Sequence, residues 1–156
     1  MELFDERRVA DALRILGETN TDALECVYCG KNAQTWDHVY PLVSGGEMSG
    51  YGHTLGNLVP SCRDCNSEKG SQDWRAWLES TKAPMSRIEA MEGYLAAYPP
   101  RRETLAELEE LCPELVREFQ EKRAAVLSLL GEADRVAQHI REKVVGRATS
   151  VGNQSK

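Results

Sequence analysis

Apolar side chains recur at helical spacing near the start of the chain and through its second half, with shorter β-like runs between. Phe4, Val9, Leu13 and Leu16 fall roughly on one side of an amphipathic helix predicted over residues 4–16, which Gly17 ends. Residues 18–25 read as a polar connection. From Gln34 to Val43 the β-branched and aromatic content predicts a strand, stopped by Pro41 or by a turn at Ser44-Gly45-Gly46. Five glycines between positions 45 and 56 mark a loop, and Leu58-Val59 is a brief return strand. Asn66 to Leu78 predicts a helix whose Trp74, Trp77 and Leu78 pack back on the core; core anchoring is preferred to base stacking for these tryptophans.

Pro84 opens a second amphipathic helix, with Met85, Ile88, Met91, Leu95 and Tyr98 at helical spacing and Pro99-Pro100 ending it. Thr104-x-x-Glu107 has the form of a capping box for a short helix up to Leu111. Pro113 stands where a first helical turn accepts proline. A seven-residue repeat follows, with Phe119, Val126, Ala133 and Ile140 in one position and Val116, Arg123, Leu130, Ala137 and Val144 in the other. Arg123, the two alanines and Gly131 weaken this seam. It predicts either a coiled coil pairing two chains or a helical hairpin folded back on the body. The expected organisation is a helical extension over 1–23, a cysteine-bearing α+β domain over 24–80, a helical region over 84–146 and a flexible tail over 147–156.

At 156 residues, 41% hydrophobic and 28% charged, the composition is that of an ordinary soluble protein. No run approaches the ~18 apolar residues of a membrane span, and no apolar signal segment follows Met1, so a cytoplasmic protein with reduced thiols is expected. The net charge is −6, and residues 24–80 carry four Lys and Arg against seven Asp and Glu. The basic stripe of a tight general DNA binder is missing. Any contact with nucleic acid must rest on a few placed cations, on metal ions or on a partner.

Four of the five cysteines form two close pairs, Cys26-Val-Tyr-Cys29 and Cys62-Arg-Asp-Cys65, 32 residues apart. The two-residue gap lets both thiolates of a pair point at one ion, and four sulfurs close a tetrahedral Zn²⁺ shell. Gly30 suits the tight turn after the first pair. Such a site has no open position, so the expected zinc is structural. Cys112, far from the pairs, reads as a buried structural thiol.

The chemistry is then left to Asp37, His38 and Asn66. Oxygen donors from Asp37 and the Asn66 amide suit Mg²⁺ completed by waters and a substrate phosphate. A histidine beside them can take a proton from water. On a regular strand Asp37 and His38 point to opposite faces, so both serve one site only if the strand is irregular or the phosphate lies across its edge.

Asp37-His38-Val39-x-Pro41-Leu42, Ser44-Gly45-Gly46, Asn57-Leu58-Val59-Pro60-x-Cys62 and Cys65-Asn66-x-x-Lys69-Gly70, together with the first cysteine pair, resemble the zinc-containing HNH endonucleases over residues 26–70. That resemblance implies a small zinc-stapled ββα-metal, or His-Me finger, core flanked by helices. It makes His38 the general base and Asn57 the residue that orients it through the backbone. Asp37 and Asn66 become the holders of a catalytic Mg²⁺ or Mn²⁺, with Asn66 in place of the last histidine. The implied substrate is DNA, hydrolysed to 5′-phosphate and 3′-hydroxyl ends, in a bacterial or phage setting. Arg63 and Lys69 are candidates for phosphate contacts, and His53 is a further candidate for metal or phosphate. A non-catalytic zinc module that binds nucleic acid or protein, and a nuclease acting on RNA, are the competing functions.

Overall fold

The computed structural model describes residues 5–18 and 23–151, with side chains as far as Val145. Phe4, half of the polar connection (19–22) and the end of the expected tail at 152–156 lie outside the described residues. The chain forms two compact units, residues 1–107 and 108–156.

The first unit opens with α1 (Glu6–Ile15), capped by the Asp5 side chain, which accepts from the Arg7 N–H, and stopped at Gly17 as expected. The predicted strand is shorter than expected: β1 spans Thr35–His38. Its antiparallel partner β4 (Leu58–Ser61) pairs Thr35 with Ser61 and His38 with Leu58. Val39 N–H still bonds the Asn57 carbonyl at 3.0 Å, after which Tyr40 and Pro41 bend the chain away. The glycine-rich stretch is not all loop. Val43–Ser44 (β2) and Glu47–Met48 (β3) form a small hairpin around Gly45 and Gly46.

The helix expected from Asn66 to Leu78 is two helices. Cys62 caps α2 (Arg63–Lys69), and Gly70 ends it. A new helix, α3 (Trp74–Ser80), starts where the Asp73 carboxylate accepts from the Arg75 and Ala76 N–H groups. Asp73 outcompetes helix continuation because it satisfies two of the orphan donors at a fresh N-terminus. Trp74, Trp77 and Leu78 are buried, as predicted, and Trp77 meets the Tyr28 ring edge-on at 5.1 Å.

Helix α4 (Met85–Ala97) follows Pro84 and belongs to this same core through Ile88, Met91 and Tyr94. The predicted apolar face needs two corrections. Met85 is largely exposed, and Tyr94, absent from that face, is fully buried. The Tyr94 hydroxyl donates to the Leu58 carbonyl and accepts from the Gly56 N–H, so a buried phenol ties α4 to the start of β4. The capping box is formed: Thr104 N–H bonds Glu107 Oε2 at 2.7 Å and Glu107 N–H returns to Thr104 Oγ1, at the start of α5 (Leu105–Leu111).

The second unit is dominated by α6 (Pro113–Val151), a 39-residue helix that runs on beyond Gly146 into the expected tail. Its Val126, Leu130, Ile140 and Val144 are exposed. Among the described residues no helix is long and apolar enough to cross a membrane.

Candidate active site

The site is built from β1, β4 and α2, held at one end by the cysteines. The first pair sits on a turn in which Gly30 N–H returns to the Cys26 carbonyl at 2.8 Å, with Gly30 at φ +76°, the conformation glycine adopts readily. Arg87 of α4 donates to the carbonyls of Cys26 and Val27 and braces that turn. The second pair spans the end of β4 and the first turn of α2, where the Cys62 thiol accepts from the Cys65 N–H.

The four thiol sulfurs lie within 4.8 Å of one another, and Cys29 Sγ to Cys62 Sγ is 3.7 Å. A tetrahedron of sulfurs about 2.3 Å from zinc has edges of about 3.8 Å. The donors therefore fit one Zn²⁺ in number, type and spacing. Their acidities diverge. Burial raises the Cys26 thiol, but backbone groups of Cys62, Cys29 and Tyr28 outweigh it and bring it down to about 7. Burial and the adjoining sulfurs push Cys65 far up. Four thiolates cannot share this space as bare anions, and a dication is what permits it. Among the described residues these cysteines are the group of His, Cys, Asp and Glu side chains that could hold a metal ion.

Helix α2 carries two further side chains to β1. The Asn66 amide donates to the Trp36 carbonyl at 3.3 Å. One turn on, Lys69 is fully buried, with its Nζ 3.0 Å from Asp37 Oδ2 and 2.8 Å from the His38 carbonyl. The Tyr28 hydroxyl donates to the same Asp37 oxygen at 2.6 Å. Burial, and after it the Asp37 charge, hold the Tyr28 phenol well above its ordinary pKa, so it stays a donor.

Two expectations change here. Lys69 is no surface cation for phosphate, because its ammonium is consumed inside the protein as the counter-charge of Asp37. Asp37 in turn is not a free carboxylate, since one oxygen already serves Lys69 and Tyr28. The pattern Asp37-His38 with Lys69 carried both facts in principle, but nothing in the residue types marks a lysine as buried.

Asp37 and His38 do lie on opposite sides of a regular strand. Asp37 faces α2, whereas His38 is half-buried and turns its Nε2 to His53 Nδ1 at 3.1 Å. The two rings meet edge-on at 5.2 Å. Burial, and then the nearby His53, lower the His38 pKa below its ordinary 6.5. His53 thus belongs to the His38 environment.

Asn57 is fully buried and touches neither Asp37 nor Asn66. Its Oδ1 accepts from the Tyr40 N–H at 2.8 Å, and its Nδ2 donates to the carbonyls of Tyr40 and Gly52. One amide therefore pins both the segment leaving His38 and the segment entering His53. Gly56 before it has φ +95°, and a Cβ there would run into the Tyr98 carbonyl. Arg63 is exposed at the start of α2, where its N–H bonds Gln34 Oε1. Cys112, partly exposed rather than buried, donates its thiol to the Leu108 carbonyl.

A two-stranded antiparallel sheet, a helix across it and four converging cysteines that could hold zinc define a small α+β fold. Residues 26–72 match the model of the HNH endonuclease family, so this segment carries that family's domain. No curated protein and no solved structure matches the chain.

Proposed function

We propose that the first unit is a metal-dependent endonuclease that hydrolyses phosphodiester bonds in DNA, with His38 as general base. The observation that supports this most is the His38–His53 pair. A histidine that accepts a proton needs one ring nitrogen free of hydrogen. With Nε2 engaged by His53, the productive tautomer carries its hydrogen on Nε2, donates it to His53 Nδ1 and leaves the Nδ1 lone pair for water. His53 is then a positioning residue, and Asn57 positions both histidines through the backbone.

In the proposed reaction His38 takes the proton of a water that attacks phosphorus, and the bond to the 3′-oxygen breaks, leaving a 5′-phosphate. Because Asp37 and His38 face opposite sides of β1, the phosphate lies across the strand's edge in this reading, and the Asn66 amide oxygen and the second oxygen of Asp37 are the groups that would hold a divalent ion, Mg²⁺ or Mn²⁺. Such an ion, when bound, neutralises charge on the phosphorus-bound oxygens and on the leaving oxygen. The Lys69 ammonium fixes the direction of Asp37, and exposed Arg63 is the proposed phosphate contact. The zinc is structural, since four thiolates leave no open position.

The test is nicking of supercoiled plasmid with added Mg²⁺ or Mn²⁺. His38→Ala should keep its zinc and its melting temperature and lose ~10²–10⁴-fold in rate. In the parent protein the rate should fall on acidification with a midpoint below pH 6.5, because the neutral base persists below that value. Equal nicking by parent and His38→Ala would reject the assignment and favour a binding module. Cleavage of RNA but not DNA would assign the same site to the other substrate.

A further inference from the structure

Trp36 is the residue next to Asp37 and two before His38, and its indole is 46% exposed, whereas Trp74 and Trp77 are each 6% exposed in the core. It lies on the His38 side of β1, about 7 Å along the strand from His38. Beside it is a cavity of about 300 Å³ lined by Val9, Trp36, His53, Leu55 and Leu58. This cavity is apolar except for His53, and His53 is hydrogen-bonded to His38. The Trp36 backbone carbonyl meanwhile accepts from the Asn66 amide. An exposed aromatic face and an apolar recess thus adjoin the proposed base, with Trp36 itself linked to a proposed metal-holding group.

We propose that this recess takes an unpaired nucleobase of single-stranded DNA, stacked on Trp36, next to the phosphate attacked by the water that His38 deprotonates. The proposal rests on the hydrolytic reading above and names its substrate class. Charge favours stacking as the means of capture. With a net charge of −6 and Lys69 buried against Asp37, attraction to the phosphate backbone is weak here. Stacking on an aromatic ring needs no positive charge and serves every base. In a duplex both faces of a base are covered by its neighbours, so only an unpaired or extruded base can enter. The site therefore selects single strands, flaps or gapped DNA over intact duplex.

Tryptophan fluorescence reports the event directly, because Trp36 is the exposed one of the three tryptophans. The full-length, zinc-loaded protein is titrated with a single-stranded DNA oligonucleotide, with no divalent ion added. Saturable quenching is expected, at least 10-fold tighter than with the duplex of the same sequence. Trp36→Ala should weaken binding by about 10- to 100-fold, and Trp36→Phe should retain most of it. An oligonucleotide in which one base after another is replaced by an abasic site should lose affinity, which tests the pocket without altering the protein. No quenching, equal binding of duplex, or parent-like binding by Trp36→Ala would overturn the proposal. So would quenching that grows with protein concentration alone, which would give the face to a second copy. A ribo-oligonucleotide bound as tightly would overturn the assignment to DNA.

The two readings fail separately. Loss of nicking in His38→Ala, with single-strand affinity indifferent to Trp36, removes the pocket and leaves the nuclease. Capture that depends on Trp36, in a protein whose nicking is unchanged by His38→Ala, supports the pocket and removes the hydrolytic reading of His38.

Discussion

Lys69 shows how far a residue's use can depart from its type. A lone buried ammonium would be prohibitively costly, and here it is offset by Asp37 Oδ2 and the His38 carbonyl. Removing one partner of such a pair typically costs about 3–5 kcal/mol, because the other is left charged and unpaired. Lys69→Met should therefore lower stability by about that amount in urea denaturation. A small loss of stability joined to a large loss of DNA affinity would instead return Lys69 to the phosphate. The order of Asp37, His38, Asn57 and Asn66 along the motif was legible. The burial of Lys69 was not, since charge balance inside a fold depends on which helix lies under which strand. Trp36 was equally silent: a tryptophan in a strand is usually a core residue, and only its exposure distinguishes it from Trp74 and Trp77.

The elements that failed to follow the sequence pattern share one cause, competition from local hydrogen bonding. The 66–78 segment has helix-compatible spacing throughout, yet Gly70 and the Asp73 cap split it. Both signals were present and were outweighed by the apolar rhythm. The β2–β3 hairpin is only two residues per strand, too short for alternation to register. Tyr94 was missed because its role is a pair of hydrogen bonds to β4 and Gly56, which no periodicity encodes. The convergence of the four cysteines, by contrast, was legible from spacing alone, since covalent geometry restricts two thiols so close in sequence. Zinc binding supplies about 10–16 kcal/mol in small zinc domains, comparable to or above the 5–15 kcal/mol stability of a typical domain. Stripping it with a strong chelator should therefore unfold the 24–80 segment, seen as lost circular dichroism and a lower melting temperature. An unchanged melt with zinc removed, or a preparation holding no zinc, would refute the site.

The chain as a whole joins a zinc-stapled unit to a long helix, and the second half of the sequence announced that helix through its heptads. Val126, Leu130, Ile140 and Val144 are exposed along one stripe of α6, and Leu127, Leu129 and Val136 widen it. The proposed partner of this stripe is a second copy of the same helix. The seam is weak at Arg123, Ala133 and Ala137, so pairing at micromolar rather than nanomolar concentration is expected. Light scattering should give a dimer for the full chain and a monomer for a chain ending at Glu107. A monomer in both would assign the stripe to another partner and make single-strand nicking the activity. The adjacency of Cys65 and Asn66 has its own consequence for the life of the protein. A zinc ligand and a proposed catalytic side chain occupy successive positions of one short helix, which Cys62 also caps. On the proposed function, a newly synthesised chain would be latent until it acquires zinc, and an oxidant that joins Cys29 to Cys62 would disarm it again. On that proposed function, the supply of zinc and the thiol balance of the cell that makes this protein would set whether it can cut.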